Sequence, residues 1–552
     1  MVEVSVIIPT YNRAELLRAC LTALGQQTQS PTDFEVIVVV DGSSDGTLEM
    51  LSHLTTPFRL QVLVQANSGA AVARNQGARA AAGALCLFLD DDIVAEPGLV
   101  AAHLKAQHQR GPMLGLGHLT CQPATTDGFA HQFATWWTDH YARLAEGSTS
   151  VSFLDCWSGN LSVPRATFLE AGGFATDLVR LEDVDLGYRL ERLGLPLVYI
   201  CSAIGHQDYR KGFAAIAREV ELSGAASVEL YRRHPTMLAS LRMGRYTEAR
   251  LRFRLARRLL LALRPSRNLL RLTSRVGGRG PRANSWYGLV FDHYYWRGVQ
   301  RATNDAAQWR RLTRGTPILL YHAFGRAGEP AGRFVVPAHT FTRQMAWLRR
   351  RGYRVISLQE LLEYREQGRL PPERAIVITI DDGYADFADV AHPVLCRNGF
   401  PATLFVVSGA VGRSNDWDRG GALDGRALLS WDDLEALAGD GVSFGAHSRT
   451  HRRLPTLEEA DVRAELNSSR TELEQRLGAP IQTFAYPYGE ADETCVCLVQ
   501  AAGFRAACGI YPGGNGAGTP AYALRRTEIY GTDSLLRFAL AVQLGDALRP
   551  RS

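Results

Sequence analysis

Leu85 to Ile93 reads Leu-Cys-Leu-Phe-Leu-Asp-Asp-Asp-Ile, an apolar run that stops in three consecutive carboxylates. Flanked by Gly83 and Pro97, it predicts a buried strand of a parallel sheet, and such sheets meet their ligands at the carboxyl ends of strands. Asp90 and Asp92 are therefore expected at a cleft. Crowded carboxylates repel one another and raise each other's pKa unless a cation joins them; a hard divalent ion, Mg2+ or Mn2+, bridging to a substrate phosphate meets that need. On this stretch alone a solvated acidic loop is the alternative.

The chain of 552 residues is long enough for more than one domain. With 46% hydrophobic and 21% charged residues it has the composition of a soluble protein. A net charge of only +5, without a zinc-knuckle, homeodomain-like or RNP-like pattern, speaks against a nucleic-acid binder. Nine cysteines scattered from Cys20 to Cys508 read as reduced core residues, and Cys495-Val-Cys497 is too tight for a usual metal or redox spacing. The sequence opens directly in a strand pattern, with no apolar leader behind a basic segment, and no run reaches the ~18 apolar residues of a spanning helix. Both halves are expected to work in the cytoplasm.

Val4 to Pro9 predicts a β-branched strand, followed by the turn Thr10-Tyr11-Asn12-Arg13 and a helix over roughly Glu15 to Gln26. A second strand, Glu35 to Val40, ends in Asp41-Gly42-Ser43-Ser44-Asp45-Gly46-Thr47, where small residues let backbone amides approach a nucleotide and an acid can bond a base or ribose. Asn67 to Gly77 opens a small-residue helix carrying Arg74, a side chain suited to phosphate. The alternation predicts a doubly wound α/β sheet.

Taken in order, strand-Pro-Thr-Tyr-Asn, Asp-Gly-Ser-Ser-Asp, Asn-x-Gly-x-x-x-Ala-Arg-Asn-x-Gly and Asp-Asp-Asp resemble the GT-A glycosyltransferases of family two. The resemblance implies a nucleotide-sugar donor contacted by Thr10, Tyr11, Asp41, Arg74, Asp90 and Asp91, with Asp92 on the metal. Cys156-Trp157-Ser158-Gly159-Asn160, followed by Gly172-Gly173-Phe174, is similar to the family's acceptor segment, which implies acceptor contacts from Trp157, Gly159 and Asn160. Leu181-Glu182-Asp183-Val184-Asp185 matches its Glu-Asp motif and opens a helix, Asp185 to Leu193. An inverting transfer needs a carboxylate to take the proton of the attacking hydroxyl, and by motif position that base is Asp183. Glu182 and Asp185 can equally be the acids that favour a helix N-terminus. His206 stands where relatives place a late histidine near the diphosphate; a core role is the alternative.

From Arg242 to Arg314 arginine and leucine mix at near-helical spacing, broken at Pro265 and Gly277-Gly278-Arg279-Gly280-Pro281. Such a helix can lie on an anionic membrane where a lipid-linked acceptor is found, or pack across domains with its arginines in water. Trp286 to Ala302 reads as a closing helix of the first half.

Strands and helices then restart. Pro317 to His322 and Ala375 to Ile380 are strands, the latter ending in Asp381-Asp382-Gly383-Tyr384; Phe400 to Val407 and Val442 to Ala446 follow, the last running into His447-Ser448-Arg449-Thr450-His451. Two histidines at i and i+4 face the same way on a helical turn and can share one ion. Phe484-Ala-Tyr486-Pro487-Tyr488-Gly489 adds a rigid turn. This set resembles the NodB-homology polysaccharide deacetylases, carbohydrate esterase family four, over roughly Thr316 to Leu544. The resemblance implies a distorted (β/α) barrel. It makes Asp382, His447 and His451 ligands of Zn2+ or another divalent ion, Asp381 the base for the attacking water, and the Tyr488 amide part of an oxyanion site. The family's arginine ahead of the proline is Tyr486 here, so Arg525 or Arg526 is expected to orient Asp381. Its late Leu-x-His is missing, and the early Tyr-His of the poly-N-acetylglucosamine deacetylases makes His322 the candidate general acid, with a core role as the alternative.

The expected organisation is a GT-A domain over 1–240, an arginine-rich helical linker over 241–315 and a deacetylase domain over 316–545. The expected function is transfer of a sugar, an N-acetylhexosamine from a UDP-linked donor, to a glycan or lipid-linked acceptor, joined to N-deacetylation of the same or a related sugar. Two alternatives remain open on sequence: one domain acts only as a carbohydrate-binding or scaffolding module, or the deacetylase acts on an unrelated small metabolite.

Overall fold

Runs of valine, isoleucine and leucine with no polar alternation suit strands buried on both faces. The computed structural model, which describes residues 2–123, 128–276, 281–511 and 513–544, builds the centres of its two large sheets from such runs. Two compact units result, Met1–Leu230 with Arg257–Ala302, and Tyr231–Ala256 with Thr303–Ser552. The segment 241–315 read as a linker is thus divided between both. Gly277 to Gly280 and residue 545 lie outside the described residues.

The strands of the first unit are β1 (Val4–Thr10), β2 (Phe34–Asp41), β3 (Arg59–Gln65), β4 (Leu85–Leu89), β5 (Ile93–Ala95), β6 (Leu114–Pro123), β7 (Asn160–Pro164) and β8 (Leu197–Tyr209). They form one sheet in the order β3-β2-β1-β4-β7-β6-β8-β5. The first four pair in parallel, whereas β7 runs antiparallel to both β4 and β6. The sheet is therefore mixed, and the doubly wound pattern covers only its first half. Strand order reverses at β1, so the carboxyl ends of β1 and β4 open on the crevice of the switch point.

Helix Ala14–Leu24 stops before Gly25, two residues earlier than the pattern predicts. Helix Glu182–Arg192 starts three residues earlier than expected, behind Leu181 at φ 64. Helix Pro281–Thr303 buries Tyr287, Val290, Phe291 and Tyr294 in the first unit. It lies so close to helix Phe213–Arg233 that a Cβ on Gly298 would meet the Glu221 carbonyl at 1.9 Å, and one on Gly224 the Tyr295 carbonyl at 2.0 Å. Reciprocal glycines permit that approach.

The second unit contains β9 (Ile318–Tyr321), β10 (Ala323–Gly325), β11 (Val335–Pro337), β12 (Arg354–Val355), β13 (Ala375–Ile380), β14 (Ala402–Val406), β15 (Val442–Ala446), β16 (Thr483–Ala485), β17 (Ala506–Cys508) and β18 (Thr527–Glu528). The main sheet runs β17-β16-β15-β14-β13-β9-β18, with β12 on β13, and every pair in it is parallel. A curled all-parallel sheet brings many strand ends to one rim.

Candidate active sites

At the rim of the first sheet the three aspartates do different things. Asp91 turns inward, accepting from Thr10 Oγ1 at 2.8 Å and Arg13 Nη1 at 2.9 Å. Asp92 accepts from Arg13 at 3.2 Å and from Gln207 Nε2 at 3.2 Å. Burial first, and the Asp90 carboxylate second, push Asp92 up to about 6. Asp90 accepts from Arg74 Nη2 at 2.7 Å and keeps part of its carboxylate exposed. An excess of carboxylates so disfavoured in the charged form fits a divalent cation.

Arg74 is buried and also reaches Glu182 Oε1 at 3.3 Å, so its guanidinium ties the Asp90 strand end to the Glu182 helix. Its two terminal nitrogens are engaged by protein carboxylates rather than left open to a phosphate. Asp41 likewise accepts from Gln65 Nε2 and from the amides of Ser68 and Gly69 at 2.7 to 2.8 Å, which holds the loop into helix Ala70–Ala80. Tyr11 is exposed.

Asp183 sits in the first turn of its helix, with Oδ1 accepting from the Val184 amide at 2.8 Å. Burial, then the Glu182 carboxylate, push it up to about 7, against the opposing pull of Arg74. A carboxylate so raised is matched to take a proton near neutral pH. Trp157 lies 4.2 Å from the Trp137 ring, and His140 and Tyr141 complete an aromatic wall. Gly159 lends its carbonyl to the Asp90 amide. Asn160 departs from its expected acceptor role. It is fully buried, accepting from His103 Nε2 at 2.9 Å and donating to the carbonyls of His118 and Ala203, partners that satisfy the amide inside the sheet. His206 faces Thr120 Oγ1 at 2.7 Å and Glu96 Oε1 at 3.0 Å, next to β5.

In the second unit Asp381 and Asp382 leave the end of β13, and His447 leaves the end of β15. The histidine pair is corrected in one respect: His447 and His451 lie on an irregular loop, not a helical turn. Ser448 at φ 60 and His451 at φ 58 make it. Ser448 Oγ accepts from the His451 amide at 3.0 Å, and Glu465 accepts from the amides of Arg449 and Thr450 at 2.8 Å. With Asp382 at φ 73 and Tyr488 at φ 59, four non-glycine residues in left-handed conformations surround one point. Such strain persists where the surroundings over-determine it.

His447 Nδ1 donates to the Ala485 carbonyl at 2.8 Å, which leaves Nε2 as the lone-pair nitrogen, 3.4 Å from Asp382 Oδ1. His451 Nε2 lies 3.3 Å from the same oxygen, and Trp417 and Tyr488 flank its ring. Among the described residues that buried oxygen has no hydrogen-bond partner. A carboxylate oxygen between two imidazole nitrogens, all three buried, fits a Zn2+-type ion with an open position. Asp381 stands beside them, its Oδ2 3.8 Å from His447 Nε2. Burial, the largest influence, would raise it, but the Arg526 guanidinium, with His447 and His322, holds it below the usual carboxylate range. Arg526, not Arg525, is the orienting residue; Arg525 turns the other way onto Glu248 Oε2 at 2.6 Å. Tyr486, in the position of the family's arginine, buries its ring and donates to the Tyr522 carbonyl. His322, just past β9, has Nδ1 3.9 Å from Glu528 Oε1. Glu465 and Glu528 carry no local motif and were not anticipated.

The sequence profile of "Glycosyl transferase family 2" matches residues 5–168, and that of "Polysaccharide deacetylase" matches residues 368–507. The chain is 32% identical over 274 residues to validoxylamine A glucosyltransferase of Streptomyces hygroscopicus subsp. limoneus, covering 43% of this chain and 58% of that protein. It is 24% identical over 209 residues to poly-beta-1,6-N-acetyl-D-glucosamine N-deacetylase of Staphylococcus aureus, covering 36% and 69%. The solved Streptococcus pyogenes deacetylase PplD superposes with a TM-score of 0.37 at 23% identity, over 42% of this chain and 98% of that one. The chain thus spans about six-tenths of the glucosyltransferase relative's length. No described helix is long and apolar enough to cross a membrane. The chain carries a glycosyl transferase family 2 domain and a polysaccharide deacetylase domain, both of enzymatic families.

Proposed function

We propose that the first unit transfers an N-acetylhexosamine from a UDP-linked donor to a glycan or lipid-linked acceptor with inversion, and that the second removes an N-acetyl group from the same or a related glycan. The observation that carries the reading is the coexistence in one chain of a carboxylate tuned to near neutrality, Asp183, and a buried Asp382-His447-His451 set with an arginine-held acid beside it. The acetamido-sugar relative supports the substrate class of the second unit. The glucosyltransferase relative supports sugar transfer by the first.

In the transfer, Asp183 takes the proton of the acceptor hydroxyl as that oxygen attacks the sugar carbon and the nucleoside diphosphate leaves. Asp92, with Asp90 near it, would hold Mg2+ or Mn2+, whose charge would offset that of the departing diphosphate. Arg74 keeps Asp90 and Glu182 in register, and the Trp157 wall offers a face to an acceptor sugar.

In the deacetylation, Asp382, His447 and His451 would hold Zn2+ or a like ion, which would supply Lewis acidity toward water and the acetamide carbonyl. Asp381 accepts the proton of the attacking water, with Arg526 fixing its orientation. His322, backed by Glu528, delivers a proton to the departing amine. The Tyr488 amide stands at the rim as an oxyanion donor.

A lipid-linked acceptor also supports peripheral membrane contact through helix Leu251–Leu263. Leu251, Leu255, Leu259 and Leu263 recur every four residues on its exposed side, with Arg252, Arg258 and Arg264 exposed beside them. An apolar ridge edged with arginine matches an anionic headgroup layer.

The test is mass spectrometry of the purified chain with UDP-N-acetylhexosamines and oligosaccharide or lipid-linked acceptors. The expected result is one added sugar followed by loss of acetyl mass. Transfer with no acetyl loss from any acetamido sugar, or acetyl loss with no transfer, removes that half of the reading.

A further inference from the structure

Outside the catalytic rim, a second group of three ligand-type side chains meets the spacing that marks the Asp382 site. His392 and Cys396 stand four residues apart on helix His392–Asn398, so they share a face, and Asp440 reaches them from the turn before β15. Cys396 Sγ is 3.2 Å from His392 Nε2 and 3.7 Å from Asp440 Oδ2, and His392 Nε2 is 3.3 Å from Asp440 Oδ2. The edges of a tetrahedron with ion–ligand bonds of 2.0 to 2.3 Å are about 3.3 to 3.8 Å. The catalytic set shows the same spacing, 3.3 and 3.4 Å from nitrogen to oxygen. The Asp440 carbonyl, 3.4 Å from the same imidazole nitrogen, is a fourth oxygen within reach.

We infer that His392, Cys396 and Asp440 bind a second divalent ion of the zinc class, at a site separate from catalysis. Among the described residues only these three and the catalytic three meet the geometry. The donor set selects the metal. Thiolate and imidazole favour Zn2+ or Co2+, whereas Mg2+ and Ca2+ prefer all-oxygen shells. One thiolate and one carboxylate balance a charge of two. Asp440 and His447 flank opposite ends of β15, and seven residue steps at ~3.3 Å each set them roughly 20 Å apart. The ion therefore sits at the amino-terminal rim of the sheet, where it fastens helix His392–Asn398 to the entry of β15. Cys396 and Asp440 are exposed, so ions reach the site from solvent.

The test is Co2+ titration of the full chain, read by the near-ultraviolet thiolate-to-cobalt charge-transfer band. The catalytic set contains no sulfur and is silent in that band. The band is expected in the wild-type chain and in His447→Ala, absent in Cys396→Ser, and displaced to about ten-fold or more higher Co2+ in Asp440→Asn. Cys396→Ser should keep its deacetylase rate with Zn2+ supplied. No band in the wild-type chain, or a band unchanged in Cys396→Ser, overturns the inference. Cys201 and Cys497, the other exposed thiols, serve as controls whose replacement by serine leaves the band intact.

Discussion

Arg526 holds Asp381 through two parallel hydrogen bonds, Nη1 to Oδ1 at 2.6 Å and Nη2 to Oδ2 at 2.8 Å, with both side chains buried. The fork fixes the plane of the carboxylate and keeps it ionised. Arg526→Lys offers one point charge in place of the fork. Deacetylase kcat should fall about 10² to 10³-fold. Because Arg526 is the foremost of the groups that lower the Asp381 pKa, the acid limb of the pH–rate profile should move to higher pH. An unchanged acid limb would argue that Asp381 is not the base.

For sugar transfer, a base raised to about 7 is protonated below that pH and loses activity as pH falls through it. The kcat/KM profile for transfer should show an acid limb near neutrality, which deacetylation lacks. Asp183→Asn should reduce transfer about 10² to 10⁴-fold while deacetylation stays within a factor of two or so. Loss of both activities in that variant would contradict two separate sites.

Metal removal should divide the activities as well. Chelation by dipicolinate should abolish deacetylation, with recovery on adding Zn2+, because the partnerless Asp382 oxygen and two imidazoles lose their common ion. His447→Ala should do the same irreversibly and spare transfer. The measurement is both rates against metal content.

Membrane contact is open to direct measurement. Co-sedimentation with phosphatidylglycerol vesicles should weaken about ten-fold or more in Leu259→Glu/Leu263→Glu, which removes apolar area and adds like charge to the lipid face. High salt should weaken it further. Equal binding to vesicles of neutral phosphatidylcholine would rule out the arginine contribution.

The strand-end acids could be read directly from the chain, because a buried parallel strand must be apolar throughout and change character where it emerges. Ala375–Ile380 and Val442–Ala446 begin and end where the pattern expects, and so Asp381, Asp382 and His447 arrive at one rim. The mixed strand order of the first sheet was not visible, since pairing partners are distant in sequence and either strand direction satisfies the same hydrophobic run. Three decisions belong to the folded chain alone. Neighbouring arginines on one extended segment point opposite ways, so only the arrival of β18 beside β9 selects Arg526 over Arg525. The His447–His451 loop depends on Glu465, eighteen residues beyond His447, to take up its amides. Asn160 was pulled inside by the carbonyls of two neighbouring strands, a demand that no local motif records. Local patterning reports what a residue prefers, and burial with long-range hydrogen bonding sets which neighbour it meets.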